Sequence, residues 1–348
     1  MNQQKNNYAQ SQIQFVKIAF KKQREWCKAI AINDDCSLLF IGFKSSIKVF
    51  GFDQEYLKQI VILNHHTNYI TDLKICKSKQ NQFLISASDD KTIIIWTQLG
   101  SSLQNPSWSC YQRLYGHENT INCLVVLENT EYIISGSSDC SIKFWSNSTQ
   151  TSKKQWSCSQ TIHNHTSEIW ALSINQSEDT LISSGEDMII LVIEQNSQIW
   201  IVKQKIQVQK LGYRICFIGN NLFCFQPMRE NLLHVYEKDK NQKFIQKKQI
   251  KVEGGEYYCK PYFQSTYINE KCLLIIKNGC KINIFRILSN DDEQKDTQFF
   301  LQQVIDFGTT DGWGQLYGSI NENGEYLVTW DYKSEEIQIR QLKGINQL

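Results

Sequence analysis

One layout recurs three times along the chain at almost constant spacing. His117-Glu-Asn-Thr-Ile-Asn-Cys-Leu-Val-Val is followed by Tyr132-Ile-Ile-Ser135-Gly-Ser-Ser-Asp139-Cys-Ser-Ile-Lys-Phe-Trp145. The segments ending at Trp96 and Ile193 share that layout, 49 residues before and 48 residues after Trp145. Self-similarity at this period means a stacked or radial array of small units that cannot bury their apolar faces alone. Such arrays mostly present surface, which argues against an enzyme.

Four residue types hold fixed positions in the layout. His66, Ser86, Asp90 and Trp96 form one set and His117, Ser135, Asp139 and Trp145 a second. His165, Ser183 and Asp187 form a third, with Ile193 at the Trp position. Each Asp is six residues before that position and each Ser ten. The pattern resembles the WD40-repeat (G-protein-beta-like) β-propeller family. The resemblance implies an all-β, seven-bladed propeller. It also implies that each His joins the Asp carboxylate to the Ser hydroxyl, which meets the indole. Indole only donates and carboxylate only accepts, so such a chain runs in one direction. The sets are structural: a hydrolase triad would not recur in triplicate, each copy beside a Trp or an Ile.

Weaker copies extend the frame. Strands ending at Phe50, Tyr236, Phe285 and Arg340 complete seven copies, with the acidic insert 290–296 lengthening the last interval. Stretches such as Thr92-Ile-Ile-Ile-Trp96 are β-branched and apolar, with Asn, Asp, Ser and Gly at the breaks. The last copy ends after three strands, at Leu342, and the strand-like Gln14–Phe20 precedes the first. The N-terminal strand should therefore close the ring as the outer strand of the last blade, leaving no open edge. A single propeller over residues 11–348 is expected, with residues 1–10 a disordered polar tail. The one literal Trp-Asp pair, Trp330-Asp331, falls in a second strand, so Asp331 should matter less than Asp139.

Composition excludes several classes. The net charge of +2 gives no case for nucleic acid. Six lysines between Lys238 and Lys251 read as a solvated outer strand. Twelve scattered cysteines without a CxxC pair, and no secretory or membrane-spanning stretch, suggest reduced thiols in the cytoplasm. No metal and no cofactor are expected, because His66 and His165 are committed to the structural sets and no Gly-rich phosphate loop is present. No membrane contact is expected, and the propeller itself should be monomeric.

The residues just ahead of the innermost strands are rich in types favoured at binding hot spots. They are Trp26, Tyr69, Tyr213, Arg214, Tyr257, Tyr258 and Trp313, with Trp170 slightly further in. They should form a ring at one mouth of the channel, where other proteins or peptides bind. The alternative is that these rings only pack loop on loop. Trp108-Ser-Cys110, Trp156-Ser-Cys158, Gly116-His117-Glu-Asn and Ile169-Trp-Ala-Leu are also similar to the WD40 targeting subunit of cytosolic iron–sulfur protein assembly. A cytoskeletal, ciliary or ubiquitin-ligase component is a further alternative.

Overall fold

The computed structural model describes residues 13–53, 56–77, 82–99, 107–127, 132–148, 155–288, 296–308 and 313–344. The polar tail 1–10 lies outside them, as do most of the blade-two turn 76–82 and of the acidic insert 290–296. Twenty-eight strands form seven antiparallel four-stranded sheets, and the only helical element among the described residues is the 3₁₀ turn Asn269–Lys271. The innermost strands are Ala29–Ile32, Ile70–Lys77, Ile121–Leu127, Ile169–Ile174, Arg214–Ile218, Thr266–Ile268 and Leu316–Ile320.

Each blade packs between two neighbours, so its middle strands have no solvent face. Thr180–Gly185 and Leu273–Asn278 are buried at every position. Such strands are buried continuously rather than at every second residue. The outer strand Phe244–Lys251 is mostly exposed, and three of the six clustered lysines, Lys247, Lys248 and Lys251, lie in it. Seven apolar clusters occupy the seven gaps between blades. Tyr317, Trp330 and Ile339 of the last blade, for example, pack with Ile30, Leu39 and Phe50 of the first.

The ring closes through strand Gln14–Lys22, which pairs antiparallel with Glu336–Lys343. Trp330, fully buried, strengthens the closure: its Nε1–H donates to the Gln23 carbonyl at 2.7 Å. Asp331 has a role of its own. It is buried, accepts Ser334 N–H at 2.8 Å and Ser334 Oγ–H at 2.5 Å, and so pins the adjacent turn. Asp331 thus has structural bonds of its own although it lies outside the recurring sets.

The seven repeat positions Phe50, Trp96, Trp145, Ile193, Tyr236, Phe285 and Arg340 share one backbone feature. At each, the pairing of third and outer strands shifts by one residue, the extra residue lying on the outer strand. A bulge of this kind bends the strand and increases its twist. Just past it, a glutamine reaches the outer strand of the next blade. Gln112 accepts Trp156 N–H at 2.9 Å and donates to Trp156 O at 2.7 Å. Gln160 does the same with Trp200, Gln204 with Phe244, and Gln303 with Phe15. Each bond satisfies an outer-strand backbone group that has no ladder partner.

Candidate functional site

The inner strand of a four-stranded antiparallel blade begins at the end where the second strand turns into the third and the outer strand finishes. Interblade linkers and second turns therefore share one end of the channel, and the recurring His and Asp meet there. His66 Nδ1 lies 2.8 Å from Asp90 Oδ2 and Nε2 lies 2.8 Å from Ser86 Oγ, to which Trp96 Nε1–H donates at 2.9 Å. The set at His117, Asp139, Ser135 and Trp145 repeats this at 2.7, 2.7 and 2.9 Å. His165 reaches Asp187 and Ser183 at 2.8 Å each, and Ile193 leaves that set without an indole. Each carboxylate also accepts the backbone N–H of the residue after the histidine.

These environments fix the protonation states. Burial pushes His66 and His117 below the ordinary imidazole value, against the pull of their aspartates. Burial would raise Asp90 and Asp139, but the imidazole hydrogen bonds and those from Thr92, Ser141 and backbone N–H groups overcome it, holding both carboxyls well below the usual range. A neutral ring still donates from Nδ1–H, so neutral imidazole and carboxylate coexist. The direction is then Trp to Ser to His to Asp. The arrangement is a clasp between linker and turn. No substrate can reach the imidazoles, whose side chains are fully buried.

The aromatic residues ahead of the inner strands fall into separate groups at the same end. Around the channel mouth, Trp170 meets Tyr213 edge-on at 5.2 Å and Tyr262 at 6.2 Å. Lys28 Nζ lies 4.6 Å from the Tyr69 ring and 5.3 Å from that of Tyr262. Over blades five to seven, Tyr258 and Trp313 stack at 5.0 Å. Trp26 stands apart, edge-on to Tyr332 at 6.3 Å. Trp26, Tyr69, Tyr258 and Trp313 are exposed, whereas Trp170, Tyr213 and Tyr257 are half-buried.

Arg214 differs from the expectation: it is buried and spent on the fold. Its Nε donates to Phe263 O, Nη2 to Lys260 O and Nη1 to Cys259 Sγ, fastening the loop that carries Tyr257, Tyr258 and Tyr262. Its guanidinium faces loop carbonyls because it opens an inner strand, while the tyrosines sit one or more residues outside. Tyr262, Lys28, Arg229 and Lys260 belong to this end but escaped notice in the sequence. Tyr262 sits four residues before its strand, one residue further out than Trp26, which is three before its own.

The channel is narrow and polar, lined among others by Lys28, Thr71, Asp72, Lys74, Asn122 and Tyr262. Asp72 is held by the N–H groups of Leu73 and Leu124 at 2.8 Å, so it links two inner strands. Among the described residues no three His, Cys, Asp or Glu converge on a metal position, and all twelve cysteines are free.

The family description "WD domain, G-beta repeat" matches residues 57–97, 108–146 and 156–194, the three blades with His–Ser–Asp sets. Protein hir1 of Schizosaccharomyces pombe is 32% identical over 103 residues, covering 26% of this chain and 11% of that protein. Ribosome assembly protein 4 of Saccharomyces cerevisiae is 28% identical over 127 residues, covering 36% and 22%. The chain thus spans under a quarter of the length of either relative. These likenesses do not show the one to the iron–sulfur targeting subunit. A chain in a crystal structure of the mitotic checkpoint complex superposes with a TM-score of 0.68 at 12% identity, over 94% of both chains, which shows the shared fold. With three recognised repeats inside a closed ring of seven blades, the chain is a seven-bladed β-propeller that carries WD40 repeats.

Proposed function

We propose that the protein is a non-enzymatic scaffold of the cytoplasm that binds another protein at the linker end of its channel. The carrying observation is that four large aromatics from blades one, two, six and seven, Trp26, Tyr69, Tyr258 and Trp313, remain exposed at that end. Such rings supply large contact area at low side-chain entropy cost, as binding hot spots do. The chemistry of the end favours this reading over catalysis. Its imidazoles are locked in the clasps, and Asp72 in the channel is engaged by backbone N–H groups.

The test is quantitative capture of partners from the native cell with Tyr69→Ala/Trp313→Ala. The control is Phe20→Ala/Tyr56→Ala, which removes exposed rings from outer strands. Loss of the main partner by tenfold or more with the first pair alone supports the reading. Loss with the control pair alone moves the interface to the blade rims.

A further inference from the structure

Two cations and two rings form a built stack at this end. Arg229 lies 4.4 Å from the Tyr258 ring, Tyr258 stacks on Trp313 at 5.0 Å, and Lys260 Nζ lies 4.7 Å from the Trp313 ring. The members come from three neighbouring blades: Arg229 from the second turn of blade five, Tyr258 and Lys260 from the linker into blade six, and Trp313 from the linker into blade seven. We propose that this stack is a clamp for an acidic, extended segment of a partner protein, an inference that rests on the scaffold reading above.

Charge supports it first. Most cations around this end have a carboxylate: Lys28 has Asp89, Lys210 has Glu230, and Lys281 has Glu253, Glu256 and Asp306. Among the described residues, neither Arg229 nor Lys260 has one within ion-pair distance. Their positive charge is offset only by ring faces, so it is available to an incoming anion.

The rings decide which anion. Each has one face against the other ring and one against a cation, yet Tyr258 is 40% and Trp313 44% exposed. What they show to solvent is therefore largely edge, the positive rim of the aromatic quadrupole. An anionic chain crossing the stack meets favourable potential at all four members. A nucleic-acid base needs an open ring face to stack on, and neither ring offers one. The three separations place the cations at most about 14 Å apart, which an extended segment spans with carboxylates up to four residues apart on one side.

The stack is held in place from below. Gly314, at φ +53°, lies so close that a Cβ would come within 2.2 Å of Tyr258 O. At Gly279, φ +56°, a Cβ would come within 2.3 Å of Gly254 O. Linker backbones are thus in direct contact, which only glycine permits. Arg214 and Lys277 both donate to the Lys260 carbonyl. With the loops fixed and the cations seated on rings, little ordering remains to be done on binding.

The experiment uses the full chain and fluorescence anisotropy with three labelled probes: a Gly/Ser peptide bearing glutamates four residues apart, its lysine counterpart, and an oligothymidine. The glutamate peptide should bind at low ionic strength, and added salt should weaken it. Arg229→Glu/Lys260→Glu should weaken it tenfold or more at unchanged melting temperature, and the milder Arg229→Gln/Lys260→Gln should fall between. Equal binding by the reversed-charge variant, no binding of the glutamate peptide, or preference for oligothymidine each overturns the proposal. If partner capture depends on Tyr69 and Trp313 while the glutamate peptide is ignored, the acidic clamp is wrong and the scaffold face stands. If capture does not depend on them either, both readings fall.

Discussion

Removing the carboxylate of Asp139 tests whether the blade-three clasp is a stabilising unit. Asp139 accepts from His117 Nδ1, from Glu118 N–H and Ser141 N–H at 2.9 Å each, and from Ser141 Oγ. In Asp139→Ala the Glu118 N–H can turn to water, since that residue is exposed. The His117 ring and Ser141 are buried and lose the carboxylate, leaving each other as partners at a long 3.3 Å. An unsatisfied buried donor costs about 1–3 kcal/mol. Water entry recovers part of two such losses, so about 2–4 kcal/mol is expected. Unfolding entropy near 2.1 cal/mol/K per residue makes that about 3–6 °C in Tm for a chain of this length. The assay is thermal unfolding of Asp139→Ala, His117→Ala and the double variant at pH about 7.5. Because the two groups share one bond, the double variant should cost less than the sum of the singles by about 1 kcal/mol or more. A shift under 1 °C for Asp139→Ala, or strict additivity, would refute the reasoning.

Four further outcomes follow from the same geometry. Folded His66 and His117 lie below their ordinary value of 6.5, so the unfolded chain binds more protons once the pH drops through 6.5. Stability should be full above that pH and fall as the solution is acidified toward about 5; a Tm unchanged over that interval contradicts neutral rings. Burial, eased by Cys259 and aggravated by Arg214, pushes Lys277 from 10.5 down to about 7, so stability should climb as pH rises above 7. Lys277→Met should remove that climb and raise stability at pH 7 by about 1 kcal/mol or more, since Arg214 still serves the Lys260 carbonyl; a lower Tm at pH 7 counts against it. Trp330→Phe should cost about 1 kcal/mol for the lost bond to Gln23 O, read by thermal unfolding, with no change meaning that closure does not use it. Deleting residues 1–22 exposes the edge of Glu336–Lys343, and light scattering should report association; a monomer with the original Tm rules this out.

Legibility in the sequence followed how strictly local chemistry dictates residue type. The clasps were readable because a donor-only indole, a two-faced hydroxyl, an imidazole and a carboxylate tolerate few substitutes, and their spacing is set by strand length. Blades five to seven keep the fold without the clasp: Tyr236, Phe285 and Arg340 occupy the same bulge as Trp96 and Trp145, but a bulge constrains backbone and not side chain. Their copies were therefore visible only as strand pattern. The interblade glutamines were missed for a different reason. Gln112, Gln160, Gln204 and Gln303 answer to backbone groups some 40 residues away or, for Phe15, 288 residues away. Glutamine is also common in this chain, so nothing local marks them. The binding end shows the same divide. The sequence places aromatics there because linkers precede inner strands, yet it cannot say which of them the loops cover. Arg214 became a fastener and Arg229 an exposed cation, although both stand next to the same channel end. Loop closure over Arg214 needs Gly254, Gly279 and Gly314 to bring three backbones into contact, and that contact exists only once the ring is closed. Surface chemistry in this protein is thus decided last, by the packing of linkers on linkers. That is why the clamp is assigned to blades five to seven, the half of the ring in which the repeat signature has faded.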